Sequence, residues 1–270
     1  MRGALNTLEL LARKDSLKTL PLFDSPNWQA FADAARIAFA ARDQLLIKGL
    51  PASNDGTTLL LAAVTVGSEF RTYRGGQIIK HFKMSPWTTE LSHTTKDGEF
   101  HTDLNTEEKP PAITAMQCLE PDPGAPKFGV SRVARLMDLL DVLERHHSKE
   151  ILDFLTKEPV TMLNDHSNSS WSGCIVEDKM IRYHPATLRA AAIRLKQPSS
   201  LLETQISKVA DAAFAVSEPF CLERGDVLLL SNHRTLHYRG ECSVIFKKYP
   251  TEFISRSVFV LHASEELKPK

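Results

Sequence analysis

The chain has only four cysteines in 270 residues, Cys118, Cys174, Cys221 and Cys242, and no two of them form a Cys-x-x-Cys pair. This excludes a zinc knuckle and a dense disulfide framework, and the four read as reduced cytosolic thiols. Neither sign of charge is in excess, with Lys plus Arg and Asp plus Glu at 33 each. No global field favours nucleic acid or an anionic membrane, so a small, neutral-to-polar ligand fits better. A run of about 18 uncharged apolar residues, the length of a membrane span, occurs nowhere. The opening MRGALNTLELLARKDSLKTL puts Arg13, Lys14, Asp15 and Lys18 where a secretory signal needs an apolar core. These absences lead to the expectation of a cytoplasmic protein with neither a membrane nor a nucleic-acid partner. Without repeats or low-complexity tracts, residues 1–270 read as a single domain.

Asn27 to Arg42 carries Trp28, Phe31, Ala35 and Phe39 at helical spacing, and the following QLLIKGLP reads as a strand closed by a turn. The SNDG breaker predicts a second helix from Thr57 to about Phe70. From Gln77 the pattern changes to short β-rich runs: QIIKHF, AITAMQCLE, EPVTML, CIVEDKMIRY, FCLE, DVLLLS, SVIFKKY and FISRSVFVLH. Their turn-bounded spacing predicts a sandwich or barrel. Helices are expected at Leu136–Glu144 and His147–Thr156. Two more form a largely helical insertion at about 185–216, packed outside the β core. Met84–Glu99 and Asn164–Gly173 read as long polar loops with one tryptophan each, a length often found in lids over a site.

The segment GEFHTDLNTEEKPPAITAMQCLE places His101 and Asp103 two apart. On a strand both would face one spot, although about one His-x-acid triplet is expected by chance in a chain of this composition. A third ligand must come from elsewhere. ERGDVLLLSNHRTLHYRG delivers His233 and His237, whose spacing also suits a zinc-binding helix. The short, Gly-bounded apolar run before them, and the lack of an amphipathic pattern past Gly240, favour a strand end that brings His237. Two histidines and one carboxylate form the facial triad of non-haem Fe(II) oxygenases, but a catalytic zinc accepts the same ligand types. Arg256 bears on the choice. It alternates with Ile254, Val258 and Val260, and a guanidinium on an aliphatic face is expensive unless a carboxylate meets it.

These residues resemble the Fe(II)/2-oxoglutarate-dependent oxygenases of the taurine dioxygenase and clavaminate synthase type. FHTDLNTEEKPPAITAMQCLEP is similar to that family's metal-binding strand, GDVLLLSNHRTLHYRG to the strand with its distal histidine, and ISRSVFVLH to the strand with its co-substrate arginine; QLLIKGLP looks like its early strand. The resemblance implies a mainly β fold with a helical buttress (α+β), a double-stranded β-helix or jelly roll. It implies His101, Asp103 and His237 as iron ligands and Arg256 as the partner of the distal carboxylate of 2-oxoglutarate. Two departures stand out. The inserted SVIFKKYPTE lengthens the His237 to Arg256 spacing, which makes Arg239 a rival, and PDPGAPKFGVSRV offers Lys127 or Ser131 where the family has a threonine.

The implied activity is hydroxylation of an unactivated C–H bond in a small molecule, with 2-oxoglutarate and O2 converted to succinate and CO2. A free amino acid or a metabolite derived from one leads the substrate classes. Asn105, Trp87, Trp171, His81 and Arg182 are the candidate substrate contacts. A carboxylate at 103 fills the coordination position that related halogenases leave to chloride, so halogenation is disfavoured. Desaturation, cyclisation or epimerisation starts from the same hydrogen abstraction. A zinc hydrolase and a non-catalytic, cupin-like metal binder are the rivals from other classes.

Overall fold

The computed structural model describes residues 20–73, 75–146, 148–164 and 167–269. The expectations for the N-terminal stretch and for a helix start at His147 lie outside these residues. Helix α1 (Pro26–Arg42) begins at a proline, and the Ser25 hydroxyl caps it by accepting from the Trp28 amide at 3.2 Å. It stops at Asp43, which takes a left-handed φ of 58° and leads into β1 (Gln44–Ile47). Helix α2 covers Thr57–Ala63 only. The expected continuation to Phe70 is instead strand β2 (Gly67–Phe70), which pairs with the last strand. A Cβ at Gly67 would lie 2.8 Å from that of Ala263, so the close approach of this edge needs a glycine.

The remaining elements are β3 (Lys80–Lys83), β4 (Ile113–Glu120), β5 (Ser131–Arg135), α3 (Leu136–Arg145), α4 (Lys149–Thr156), β6 (Pro159–Asn164), β7 (Ser169–Cys174), β8 (Val176–Glu177), β9 (Met180–Ile181), α5 (Pro185–Arg194), α6 (Ser199–Ala215), β10 (Val227–Ser231), β11 (Thr235–Arg239), β12 (Val244–Lys248), β13 (Glu252–Ser255) and β14 (Ser257–Glu266). The larger sheet runs β1-β10-β4-β14-β2, with β3 also on β14. The smaller sheet is β11-β5, extended by single bridges from His101 to His237 and from Ser131 to Phe220.

Alternation assigns the layers. Outward residues of the large sheet, among them Ala115, Val227, Leu229 and Leu261, pack on Phe39, Leu59 and Leu60 of α1 and α2. Leu236 and Ala134, opposite each other in the small sheet, face the other way, onto Leu139, Phe154, Leu188 and Val209. The helices at 185–215 are thus part of a core that buries the outer face of the small sheet. Between the sheets Cys118, Val133, Leu228 and Leu230 meet. Each fully buried Leu contributes about 1.5–3 kcal/mol relative to exposure.

Several loop and strand expectations differ from the structure. Asn164–Gly173, read as a loop, is mostly the hairpin β6–β7, with Met162 opposite Trp171. The Ser-rich strand β7 carries no apolar alternation to betray it, although its partner β6 buries Met162 and Leu163. FCLE makes one bridge, at Phe220. FISRSVFVLH is broken at Arg256, where β13 ends and β14 begins.

Candidate metal centre

His101 and Asp103 do not share a regular strand. His101 exchanges two backbone hydrogen bonds with His237, 3.0 Å each way, and Asp103 opens a turn in which Leu104 has a φ of 52°. Asn232 fixes that turn: its carbonyl accepts from the Asp103 amide at 2.7 Å, and its amide donates to Asp103 O and Pro111 O. On the other side Glu99, with a φ of 47°, is gripped by Arg189, which also holds Glu203 of α6. The triplet converges because a one-residue bridge and a strained turn hold it, the kind of backbone that persists only where its surroundings over-determine it.

His101, Asp103 and His237 each present one ligand atom, and these atoms lie within 4.8 Å of one another. The Nε2 atoms of His101 and His237 stand 3.8 and 3.7 Å from Asp103 Oδ1, too far for hydrogen bonds and close enough to share an ion. The other ring nitrogen of His101 donates to Glu99 O at 2.9 Å, which frees Nε2 as a lone-pair donor. Among the described residues His237 Nδ1 is buried with no hydrogen-bond partner. A cation at Nε2 would give the ring's other nitrogen a partner and place the proton on Nδ1. His233 turns away, with Nε2 3.3 Å from Pro110 O.

Burial favours the protonated Asp103 carboxyl, but His237, His262 and His101 outweigh it and hold the group well below the usual carboxylate range. Burial and His101 push His237 down to about 3. The pair therefore stands as carboxylate and neutral imidazole at neutral pH, the forms that bind metals. The second carboxylate oxygen is already used: Oδ2 accepts from Thr114 Oγ1 at 2.8 Å and from His262 Nε2 at 3.0 Å. The Tyr73 hydroxyl bonds the far nitrogen of His262.

Arg256 is 4% exposed and donates to Gly129 O at 2.8 Å and Ser131 Oγ at 3.1 Å. Among the described residues no carboxylate pairs with it. Ser131 lies opposite Arg239 in the small sheet, two positions from the His237–Val133 pair, so the guanidinium is anchored roughly 7 Å along the strand from His237. Arg239 bonds Gly240 O, Cys242 Sγ and Leu91 O instead, tying the 84–99 segment to β11. Lys127 is exposed, its ammonium over the Phe128 ring, and does not reach Arg256 or Ser131. Lys127 and Phe128 line a cleft of about 510 Å³ on the outer face of the small sheet, where Arg132 and Tyr238 also point, whereas His237 points inward.

Of the candidate substrate contacts, Asn105, Trp171 and Arg182 come together around Met162, which lies opposite Trp171, while Trp87 and His81 lie apart from them. Asn105 is buried, donating to Thr187 Oγ1 and Met162 Sδ. Arg182 holds Glu107 O and Glu108 O and lies over Trp171. Trp87 is exposed and packs on Phe246 and Tyr249 of the β12–β13 hairpin, and His81 faces Phe259 on the outer side of the large sheet. Sequence reasoning missed His262, Thr114, Asn232 and His184, whose ring centroid lies 4.7 Å from that of His101. One signal pointed to His262: it continues the inward face of Arg256, Val258 and Val260.

The model of the taurine catabolism dioxygenase TauD, TfdA family matches residues 12–243. The chain belongs to the TauD/TfdA dioxygenase family. The match includes the triad and ends where the β12–β13 hairpin starts, short of Arg256. An asparagine oxygenase in complex with Fe(II), 2S,3S-3-hydroxyasparagine and succinate superposes with a TM-score of 0.67 at 16% identity, over 87% of this chain and 81% of its own. The non-heme iron oxygenase OrfP with Fe, succinate and (3S)-hydroxy-L-Arg gives 0.60 at 14%, over 98% and 86%. PvcB of Pseudomonas aeruginosa gives 0.61 at 13%, over 88% and 82%. These likenesses show that the chain has the fold of TauD/TfdA-type oxygenases. No curated protein matches it. Among the described residues no helix is long and apolar enough to cross a membrane.

Proposed function

We propose that this TauD/TfdA member is an Fe(II)- and 2-oxoglutarate-dependent oxygenase that hydroxylates a C–H bond of a free amino acid or a small molecule derived from one. The observation that carries the reading is Arg256: a buried guanidinium with no carboxylate partner among the described residues, anchored to Ser131 two strand positions from the His237–Val133 pair. Neither a zinc hydrolase nor a structural metal site has use for it.

His101, Asp103 and His237 would hold the iron through one face, which leaves other positions to co-substrate and oxygen. When bound, ferrous iron with 2-oxoglutarate supplies O2 activation, and the keto acid leaves as succinate and CO2. The remaining roles belong to the chain. Thr114 and His262 keep Asp103 turned so that only Oδ1 faces the triad's centre. Arg256, aimed by Gly129 and Ser131, receives the distal carboxylate in a charge-assisted pair. Val258, Val260, Leu228 and Leu230 are buried apolar side chains on the inner face of the large sheet, and the low local dielectric they create strengthens that pair. The amino-acid class draws support from the asparagine oxygenase and OrfP complexes, each of which holds a hydroxylated amino acid and succinate.

Succinate release should require Fe(II), 2-oxoglutarate and O2 together, and should be stimulated by at least one amino acid. Zn(II)-supported hydrolysis of esters or amides without 2-oxoglutarate would contradict the reading.

A further inference from the structure

The proposed chemistry commits one cation, Arg256, to the co-substrate, yet the inner face of the large sheet carries a second. Lys80 pairs with Val260 in the β3–β14 register. Residues opposite each other in an antiparallel pair project to the same side, and Val260 lies two before His262, which bonds Asp103. Lys80 therefore points to the side of the sheet that holds the triad. Its ammonium sits 3.9 Å from the centroid of the Tyr73 ring, the same ring whose hydroxyl bonds His262. Lys80 is half-buried, and among the described residues its ammonium has neither a hydrogen bond nor an ion pair. Burial lowers the hold of this ammonium on its proton, and the charges of Asp103 and Glu90, neither in contact with it, only partly oppose that. His81, the neighbour singled out from sequence, faces away. Side chains alternate along a strand, so the residue one position earlier is the one that looks inward.

A half-buried ammonium held over an aromatic face, with no hydrogen-bond acceptor, is a poor structural device: the ring contact replaces only part of its lost hydration. It is a good receiver for an anion. Resting on the oxygenase reading above, we propose that Lys80 binds the α-carboxylate of an L-amino-acid substrate on the triad side of the large sheet, with the Tyr73 ring beneath it. The two cations then divide the anions by position. Arg256 takes the co-substrate on the small-sheet side, and Lys80 takes the substrate beside His262.

The test uses the anaerobic Fe(II)/2-oxoglutarate complex of the whole protein. Each of the common L-amino acids, and taurine as a sulfonate, is titrated while the visible charge-transfer band is recorded; every responding acid is then compared with its carboxamide. At least one acid should shift the band, and its carboxamide should bind roughly tenfold or more weakly. Lys80→Met should weaken the acid by roughly 30-fold or more, while the band from 2-oxoglutarate alone and the binding of the carboxamide stay as in the unaltered protein. Lys80→Arg should restore most of the affinity. Equal binding of acid and carboxamide, an unchanged affinity in Lys80→Met, a response to taurine alone or no response to any acid would each overturn the assignment. Loss of the band before any amino acid is added would instead count against the oxygenase reading, which keeps the two failures apart.

Discussion

His262 Nε2 and Asp103 Oδ2 lie 3.0 Å apart, and Thr114 Oγ1 reaches the same oxygen at 2.8 Å. With the Tyr73 hydroxyl on its other nitrogen, the network assigns the His262 proton to Nε2, which donates to the carboxylate. Oδ1 is thereby left to the triad. His262→Ala should raise the dissociation constant for Fe(II) by about 10- to 100-fold, the usual cost of losing a partner that orients a metal ligand. Anaerobic equilibrium titration with Fe(II) reads this directly. An unchanged constant would mean that Asp103 needs no such support.

Arg256→Gln should leave Fe(II) affinity intact and weaken 2-oxoglutarate by roughly 100-fold, about 2.7 kcal/mol, as expected when one member of a buried charge pair is lost. Arg256→Lys should fall between, because an ammonium cannot keep the bonds to Gly129 O and Ser131 Oγ and also fork onto a carboxylate. Ser131→Ala should cost only a few-fold, since Gly129 still aims the guanidinium. Affinities come from the same charge-transfer titration.

Acid should destabilise the metal-free protein. Burial, with His101, pushes His237 and His184 down to about 3 from an ordinary value of 6.5. Between those values the unfolded chain binds more protons than the folded one, so stability is fully present above about pH 6.5 and falls as the pH drops through the window. The slope approaches roughly 1.4 kcal/mol per pH unit for each histidine. Asp103 adds a loss at lower pH, because its depressed carboxyl contributes above the unfolded value of 3.8 and yields as pH falls below it. Urea unfolding at pH 7, 6 and 5 should show the midpoint falling, and His184→Asn, which keeps a cap for α5, should remove about one proton from the slope. A flat midpoint would contradict the buried neutral state.

Gly225 precedes β10 with a φ of 91°, and a Cβ there would fall 1.9 Å from Leu50 O. Gly225→Ala must displace the Gly-Leu-Pro turn after β1 as well as bear a backbone strain of about 1–3 kcal/mol. Thermal unfolding should show a loss of several degrees or more, whereas Gly49→Ala, with nothing within 4 Å of its Cβ, should bear only the strain of its own φ of 72°.

Much of this was legible in the sequence, for reasons that are local. His237 follows from a strand whose neighbours Leu236 and Tyr238 alternate outward, and Arg256 from its place among aliphatic residues. His101 and Asp103 converge as expected but by another route, a single bridge and a turn fixed by Asn232, which lies 129 residues away from Asp103 in sequence. No local pattern encodes such a partner. His81 was selected where Lys80 faces inward, because strand register against β14 sets the parity of β3 and no turn residue marks it. Trp171 falls in a ribbon strand and Arg182 holds the backbone of Glu107 and Glu108, placements set by strand pairing and by distant carbonyls that no local pattern marks.

The most direct test of the account is the addition of Fe(II) and then 2-oxoglutarate under anaerobic conditions. The account predicts a weak visible charge-transfer band that saturates with 2-oxoglutarate in the unaltered protein and is lost in Arg256→Gln at the same concentration. Tight Fe(II) binding with no band at any 2-oxoglutarate concentration would contradict it.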